Sequence, residues 1–395
     1  MRIARRPGVG RVLWTRLLRR VQPASAKATA VRRSFSEGGK EPPYTRHVLA
    51  CLAAVLTVWI GVGLPAAAQS DRPGPARAIL DEAAKAAAEL PRLHSLLVSW
   101  RGELILERYF NGRRATSLAN IKSASKSVIA TLVGIAIERR YIPSVTQPIA
   151  TFFPDVLSSR DDPKHQITVE DLLTMRSGLE TTSNRNYGAW VQSGNWVKHV
   201  LTRRLLFEPG AEMQYSTGNS HLLSAILTRA TGRTTRQFAQ ETIATPLGFT
   251  LAAWPRDPQG VYFGGNEMLM TPRQMLAFGE LYLNRGRAKG ASLVPARWID
   301  ASLVPRGRSG FSQQLYGYGW WIRDVAGHPA YYAWGYGGQF IFIVPDLELV
   351  VVSTSTTATS DERRTHRRTV DDIIEHLIVE PLARAPIERP ASSSR

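Results

Sequence analysis

Ser123-Ala124-Ser125-Lys126, followed by the apolar run Val128-Ile-Ala-Thr-Leu-Val-Gly-Ile-Ala-Ile137, is the stretch on which the reading of this chain turns. The run predicts a helix, and on a helix positions i and i+3 share a face. A serine hydroxyl and a lysine amine are then neighbours at its start. A neutral amine there can take the hydroxyl proton and turn a weak nucleophile into an acyl-transfer one. Only eight lysines occur in the chain, and Lys126 alone has a serine three residues upstream.

Working outward, two runs before it, Ser95-Leu-Leu-Val-Ser-Trp100 and Glu103-Leu-Ile-Leu-Glu-Arg-Tyr-Phe110, flank Arg101-Gly102 and predict a β-hairpin. An Ala-rich helix is expected ahead of them at 76–90, closed by Pro91. Residues 140–255 carry few alternating runs and read as helices and loops. Within them, Thr168 stands as a helix cap before an acidic first turn, Glu170-Asp171. Near the other end, Gly338-Gln-Phe-Ile-Phe-Ile-Val-Pro345 and Leu347-Glu-Leu-Val-Val-Val-Ser353 form a second apolar hairpin, with a closing helix expected at 369–382. Strands at both ends and helices between them predict an α+β fold. Its antiparallel sheet is built from both chain ends and flanked by helices, beside a mainly helical lobe.

A second constellation is Met213-Gln-Tyr215-Ser-Thr-Gly-Asn219, leading into a helical run at 222–230. A tyrosine at the mouth of a helix can shuttle protons when an ammonium lies nearby; a packed turn aromatic is the other reading. A third is Tyr332-Ala-Trp-Gly335-Tyr336-Gly337-Gly338-Gln339. Its glycines let backbone approach a substrate and an amide there could donate to an oxyanion, or they mark a bulge.

Together these three segments, in this order, resemble the serine β-lactamase and penicillin-binding protein superfamily, nearest to its class C-like esterase and aminohexanoate-oligomer hydrolase branch. The resemblance spans roughly 93–382 and extends to Gly102-Glu-Leu-Ile-Leu-Glu-Arg-Tyr-Phe-Asn-Gly112, Leu172-Leu-Thr-Met-Arg-Ser-Gly178 and Met270-Thr-Pro-Arg-Gln-Met275. It implies a β-lactamase-like fold with Ser123 as the acylated nucleophile and Lys126 as its base. Tyr215 then assists deprotonation and protonates the leaving group. Asn219 matches an asparagine of the hydrolase branch, whereas Ser216 and Thr217 receive no role. The resemblance further implies an oxyanion hole from the Ser123 amide and one amide of the Gly335, Tyr336, Gly337 segment, with Tyr336 favoured. Tyr187, in Asn184-Arg-Asn-Tyr187-Gly-Ala-Trp190, is similar to a substrate-contacting loop tyrosine.

Two departures shape the expected activity. The family's Lys-Thr-Gly is replaced by Trp334-Gly-Tyr-Gly-Gly338, and no Ser-Asp-Asn occurs. Without that lysine a substrate carboxylate loses its point-charge clamp. The expectation is therefore a serine hydrolase of small-molecule esters or amides. A β-lactamase, a D-alanyl-D-alanine carboxypeptidase and a catalytically silent binding protein on the same fold stay open as alternatives. Trp190, Trp196 and Trp334 would suit an apolar pocket, shaped by loops at 181–196 and 254–266.

Composition bounds the rest. With 44% hydrophobic residues the 395-residue chain can bury a sizeable core. Residues 1–47 hold twelve basic residues against Glu37 and Glu41, so ten of the eighteen net charges sit in this leader. Downstream the basic residues are scattered without an aromatic-interleaved stripe, which argues against nucleic-acid binding. The apolar segment 48–64 followed by Pro65-Ala-Ala-Ala68 reads as a secretory signal cut after Ala68, or as an uncleaved membrane anchor. Export to the periplasm or beyond is expected. Cys51, the single cysteine, lies inside it, leaving no thiol chemistry downstream. The expected organisation is a basic leader (1–47), a signal or anchor (48–68), a hydrolase domain (70–384) and a disordered tail (385–395). No Gly-x-Ser-x-Gly elbow, no His-x-x-x-His pair and no cofactor fingerprint occurs, so a Ser-His-Asp enzyme, a metal site and a cofactor are not expected.

Overall fold

The computed structural model describes residues 78–385. The leader, the 48–68 segment and, Ala385 apart, the tail lie outside the described residues. Among the described residues no helix is long and apolar enough to cross a membrane.

Helix α1 (Asp81–Ala88) leads into strands β1 (Leu93–Trp100) and β2 (Glu103–Tyr109). Their turn has Arg101 at φ 53° and Gly102 at φ 78°, the paired left-handed conformations of a tight hairpin whose twist matches the strands. Then come α2 (Ser125–Glu138), the short α3 (Val169–Leu173), α4 (Thr217–Thr231) and α5 (Pro272–Leu283). Six further strands follow: β3 (Gly307–Arg308), β4 (Leu315–Tyr316), β5 (Trp321–Val325), β6 (His328–Gly335), β7 (Gln339–Val344) and β8 (Leu349–Ser355). Helix α6 (Arg363–Asp372) continues through a wider turn at Ile373–Val379 to Arg384.

The eight strands form one antiparallel sheet in the order β2-β1-β8-β7-β6-β5-β4-β3. The amino-terminal hairpin therefore pairs with the last strand, Leu97 opposite Val352 and Val98 opposite Val351. The sheet is larger than the two expected hairpins. Strands β3 to β6 interleave Gly, Pro, His and charged residues with aromatics, which hides their alternation from a sequence reading.

Helices cover both faces, so β7 and β8 are buried along their whole length and read as continuous apolar runs. Alternation divides them between two cores. Ile341, Ile343, Val350 and Val352 face α2 and α5, while Phe340, Phe342, Leu349 and Val351 face Ile374 and Ile378 of the closing helix. Each fully buried aliphatic side chain contributes about 1.5–3 kcal/mol. Helix α2, with twelve buried residues, runs between the sheet and the helical lobe and packs against α4. Thr168 caps α3 in a reciprocal box with Asp171, as its sequence predicts.

Candidate active site

Ser123 sits in a tight turn, Lys122–Ala124, that runs directly into α2. The preceding Lys122 is held at φ 55°, a left-handed conformation that a side-chain-bearing residue adopts at a cost of about 1–2 kcal/mol. Two bonds stabilise it: its amide donates to Asn120 Oδ1 at 3.0 Å, and its ammonium pairs with Glu267 at 2.6 Å. The turn leaves Ser123 half-buried at the head of the helix, with Lys126 one turn along.

Lys126 is 2% exposed. Its amine lies 3.1 Å from Ser123 Oγ, donates to the Gly265 carbonyl at 2.6 Å and meets Thr217 Oγ1 at 3.4 Å. Among the described residues no carboxylate lies in ion-pair range of it. Burial without a counter-charge pushes its pKa down to about 7. About half of the amine is thus neutral at pH 7. One of its hydrogens is fixed on Gly265, leaving its lone pair for the serine proton.

Tyr215 stands two residues before α4, its ring centroid 5.0 Å from the Lys126 amine. The ring stacks on Trp321 at 5.6 Å and meets Tyr316 edge-on at 6.4 Å. Burial pushes the phenol up to about 12, opposed in part by its hydrogen bond with Ser123. These shifts leave the lysine amine able to accept a proton near neutral pH and the tyrosine hydroxyl still holding one.

Helix α4 decides which neighbours reach the amine. The Ser183 hydroxyl accepts the Thr217 amide and the Thr182 hydroxyl accepts the Gly218 amide, each at 2.9 Å, which fixes the first turn. Thr217 thereby faces Lys126 and Ser183 Oγ, the latter at 2.9 Å. The sequence reading gave Thr217 no role and matched Asn219 to a family asparagine; the structure brings Thr217, not Asn219, within reach of the Lys126 amine. Two residues further round the helix, Asn219 is fully buried and points elsewhere. Its Oδ1 accepts from Ser177 at 3.1 Å and its Nδ2 has no partner among the described residues. A pattern of residue types cannot tell those two positions apart until the helix start is known.

Tyr187 stacks on Phe263 at 6.3 Å, and its hydroxyl accepts from Asn266 Nδ2 at 2.9 Å. Asn266 follows the glycine whose carbonyl accepts the hydrogen bond from Lys126, so Tyr187 borders the site through that loop. Trp190 and Trp196 are buried against Phe263 and belong to the core rather than to a pocket.

Gly335, Tyr336 and Gly337 form the turn from β6 to β7. A Cβ on Gly335 would lie 2.1 Å from the Ile121 carbonyl, so only glycine lets the turn close on the serine segment. Neither the Ser123 nor the Tyr336 amide has an acceptor among the described residues. Tyr336 is 38% exposed, with its hydroxyl bound by Arg363. Among the described residues the one cluster with metal-ligating geometry is Glu375, His376 and Glu380 in the closing helix. Glu375 and Glu380 are engaged with Arg323 and Arg384.

Comparison with known proteins adds four findings. A family model described as beta-lactamase matches residues 94–375. The 6-aminohexanoate-dimer hydrolase of Paenarthrobacter ureafaciens is 24% identical over 389 residues, spanning 87% of this chain and 93% of that protein. Among solved structures, a penicillin-binding protein homolog from Caulobacter crescentus aligns with a TM-score of 0.61 at 18% identity, over 78% of this chain and 97% of that one. EstCE1, a hydrolase with promiscuous acyltransferase activity, aligns at 0.62 and 16% identity, over 76% and 99%.

Proposed function

Because the chain belongs to the beta-lactamase family and is a serine hydrolase, we propose that it cleaves an ester or amide through an acyl-enzyme on Ser123. Lys126 takes the Ser123 proton as the oxygen attacks the substrate carbonyl. The Ser123 and Tyr336 amides receive the developing oxyanion. Tyr215 gives its proton to the leaving group and is recharged by the Lys126 ammonium beside it. Water then enters the leaving group's place and the same transfers run in reverse. The observation that carries this reading is the 3.1 Å approach of a buried amine without a counter-ion to Ser123 Oγ.

The turn Trp334-Gly-Tyr-Gly-Gly338 supports acyl substrates other than β-lactams, because it supplies no ammonium for a ring carboxylate. The similarity to a 6-aminohexanoate-dimer hydrolase points the same way. Export of this domain through the 48–68 segment is part of the proposal. The test is a panel of short-chain p-nitrophenyl esters set against nitrocefin, with Ser123→Ala as control. Ester turnover that vanishes in the variant, with little nitrocefin cleavage, is expected. Efficient cephalosporin hydrolysis overturns the substrate assignment.

A further inference from the structure

Seventeen residues, 248–264, separate the helical turn ending at Leu247 from the Gly265 carbonyl, yet that carbonyl accepts from the Lys126 amine at 2.6 Å. What holds it is a buried polar pair behind the site. His221, in α4, has its Nε2 3.0 Å from Asp257 Oδ2, and both side chains are fully buried. Trp190, Trp196 and Phe263 enclose the imidazole at centroid distances of 5.8, 5.3 and 5.9 Å. A polar pair in such an aromatic cage is expensive unless every group is bonded, and apolar residues would fill the space as well.

The remaining atoms of the pair say what it holds. Asp257 Oδ1 accepts the amides of Gln259 at 2.9 Å and Val261 at 2.8 Å. His221 Nδ1 accepts the Gly264 amide at 3.5 Å, the outer limit of such a bond. That acceptor role assigns the imidazole proton to Nε2, where it is donated to Asp257. Ser224, one turn further along α4, donates to the Tyr262 carbonyl at 2.7 Å. The loop is also pressed onto the helix. A Cβ on Gly264 would lie 2.1 Å from the Ser220 carbonyl, and one on Gly265 2.9 Å from Thr217 Cγ2. The next residues carry two contacts to the Ser123–Lys126 segment, Gly265 to Lys126 and Glu267 to Lys122, and one, from Asn266, to Tyr187 at its border.

We propose that His221 and Asp257 are positioning residues: the pair pins residues 257–264 to α4 so that the Gly265 carbonyl orients the Lys126 amine toward Ser123. This rests on the acyl-enzyme reading given above. The pair touches neither substrate nor nucleophile, and its effect is on the direction of the lysine lone pair. A misplacement near 1 Å at such a group costs about 10²-fold in rate.

The test compares wild type with His221→Ala, His221→Asn and His221→Gln, using p-nitrophenyl butyrate across pH. Asparagine keeps an acceptor where Nδ1 stood, and glutamine keeps a donor where Nε2 stood. The expected result for His221→Ala is a kcat about 10²-fold lower with KM nearly unchanged. The acid limb of its pH profile should move upward, since burial is what depresses Lys126 and a loosened loop admits water. Asparagine and glutamine should each recover part of the loss. A folded His221→Ala with wild-type kcat and acid limb, whatever its melting temperature, overturns the proposal. If that variant does not fold, wild-type kcat and acid limb in both conservative variants overturn it. An inactive wild type, or turnover by Ser123→Ala, sinks the acyl-enzyme reading instead and is distinguishable from either result.

Discussion

Replacing Lys126 with methionine should destroy activity and stabilise the protein, and the size of the gain follows from the site. A tenfold change in proton affinity is worth about 1.4 kcal/mol. Burial lowers the Lys126 pKa from 10.5 to about 7, so keeping the ammonium in the folded state costs about 5 kcal/mol at low pH. Below about pH 7 both folded and unfolded chains carry the charge and the cost is fully present. As pH rises toward 10.5 the unfolded chain loses its proton too, and the cost disappears. Methionine fills a similar unbranched volume without the charge. It leaves the Gly265 carbonyl without its donor, a loss of about 1–3 kcal/mol. The net expectation is a variant more stable by about 2–4 kcal/mol at pH 6–7, with the advantage gone by about pH 10. Urea unfolding of both proteins, followed by tryptophan fluorescence at pH 6, 7 and 10, measures it as a difference in midpoint. A paired, permanently charged lysine makes the opposite prediction, a loss of about 3–5 kcal/mol on truncation. Equal or lower stability of the variant at pH 6–7, or a gain that persists unchanged at pH 10, would refute the reasoning.

The same lysine sets the pH dependence of wild-type turnover: kcat/KM should fall below about pH 7 as the amine takes up a proton, and a flat profile into the acid range contradicts its role as base. Tyr215→Phe should lower kcat about 10²-fold while leaving fluorophosphonate labelling of the serine measurable; an unchanged rate returns Tyr215 to a packing role. Gly335→Ala places a methyl 2.1 Å from the Ile121 carbonyl, so the β6–β7 turn must move away from Ser123. Turnover should drop about 10²-fold in that variant, and wild-type kcat would detach the turn from the oxyanion.

Local chemistry was legible in the sequence where a short stretch determines its own conformation. Arg101-Gly102 announces a two-residue hairpin, Thr168 a helix cap, and Ser123 with Lys126 a shared helix face. Strands β3 to β6 were not legible, because their burial comes from aromatic contacts across the sheet, such as Trp321 with Tyr316, rather than from alternation. Asn219 was named from its match to a family asparagine, and that match does not carry the helix phase, set by Ser183 and Thr182, that turns Thr217 toward Lys126. The Gly265 carbonyl and the His221–Asp257 pair carry no motif. One is a backbone atom, and the other joins residues 36 positions apart through a fold that sequence spacing does not encode.

The central claim is that one oxygen, Ser123 Oγ, becomes covalently acylated. Mass spectrometry of the full chain after reaction with a fluorophosphonate, with the adduct mapped by fragmentation, tests it most directly. A single adduct on Ser123, absent from Ser123→Ala and slowed in Lys126→Met, is the predicted result. An adduct on any other residue, or equal labelling of Ser123→Ala, contradicts it.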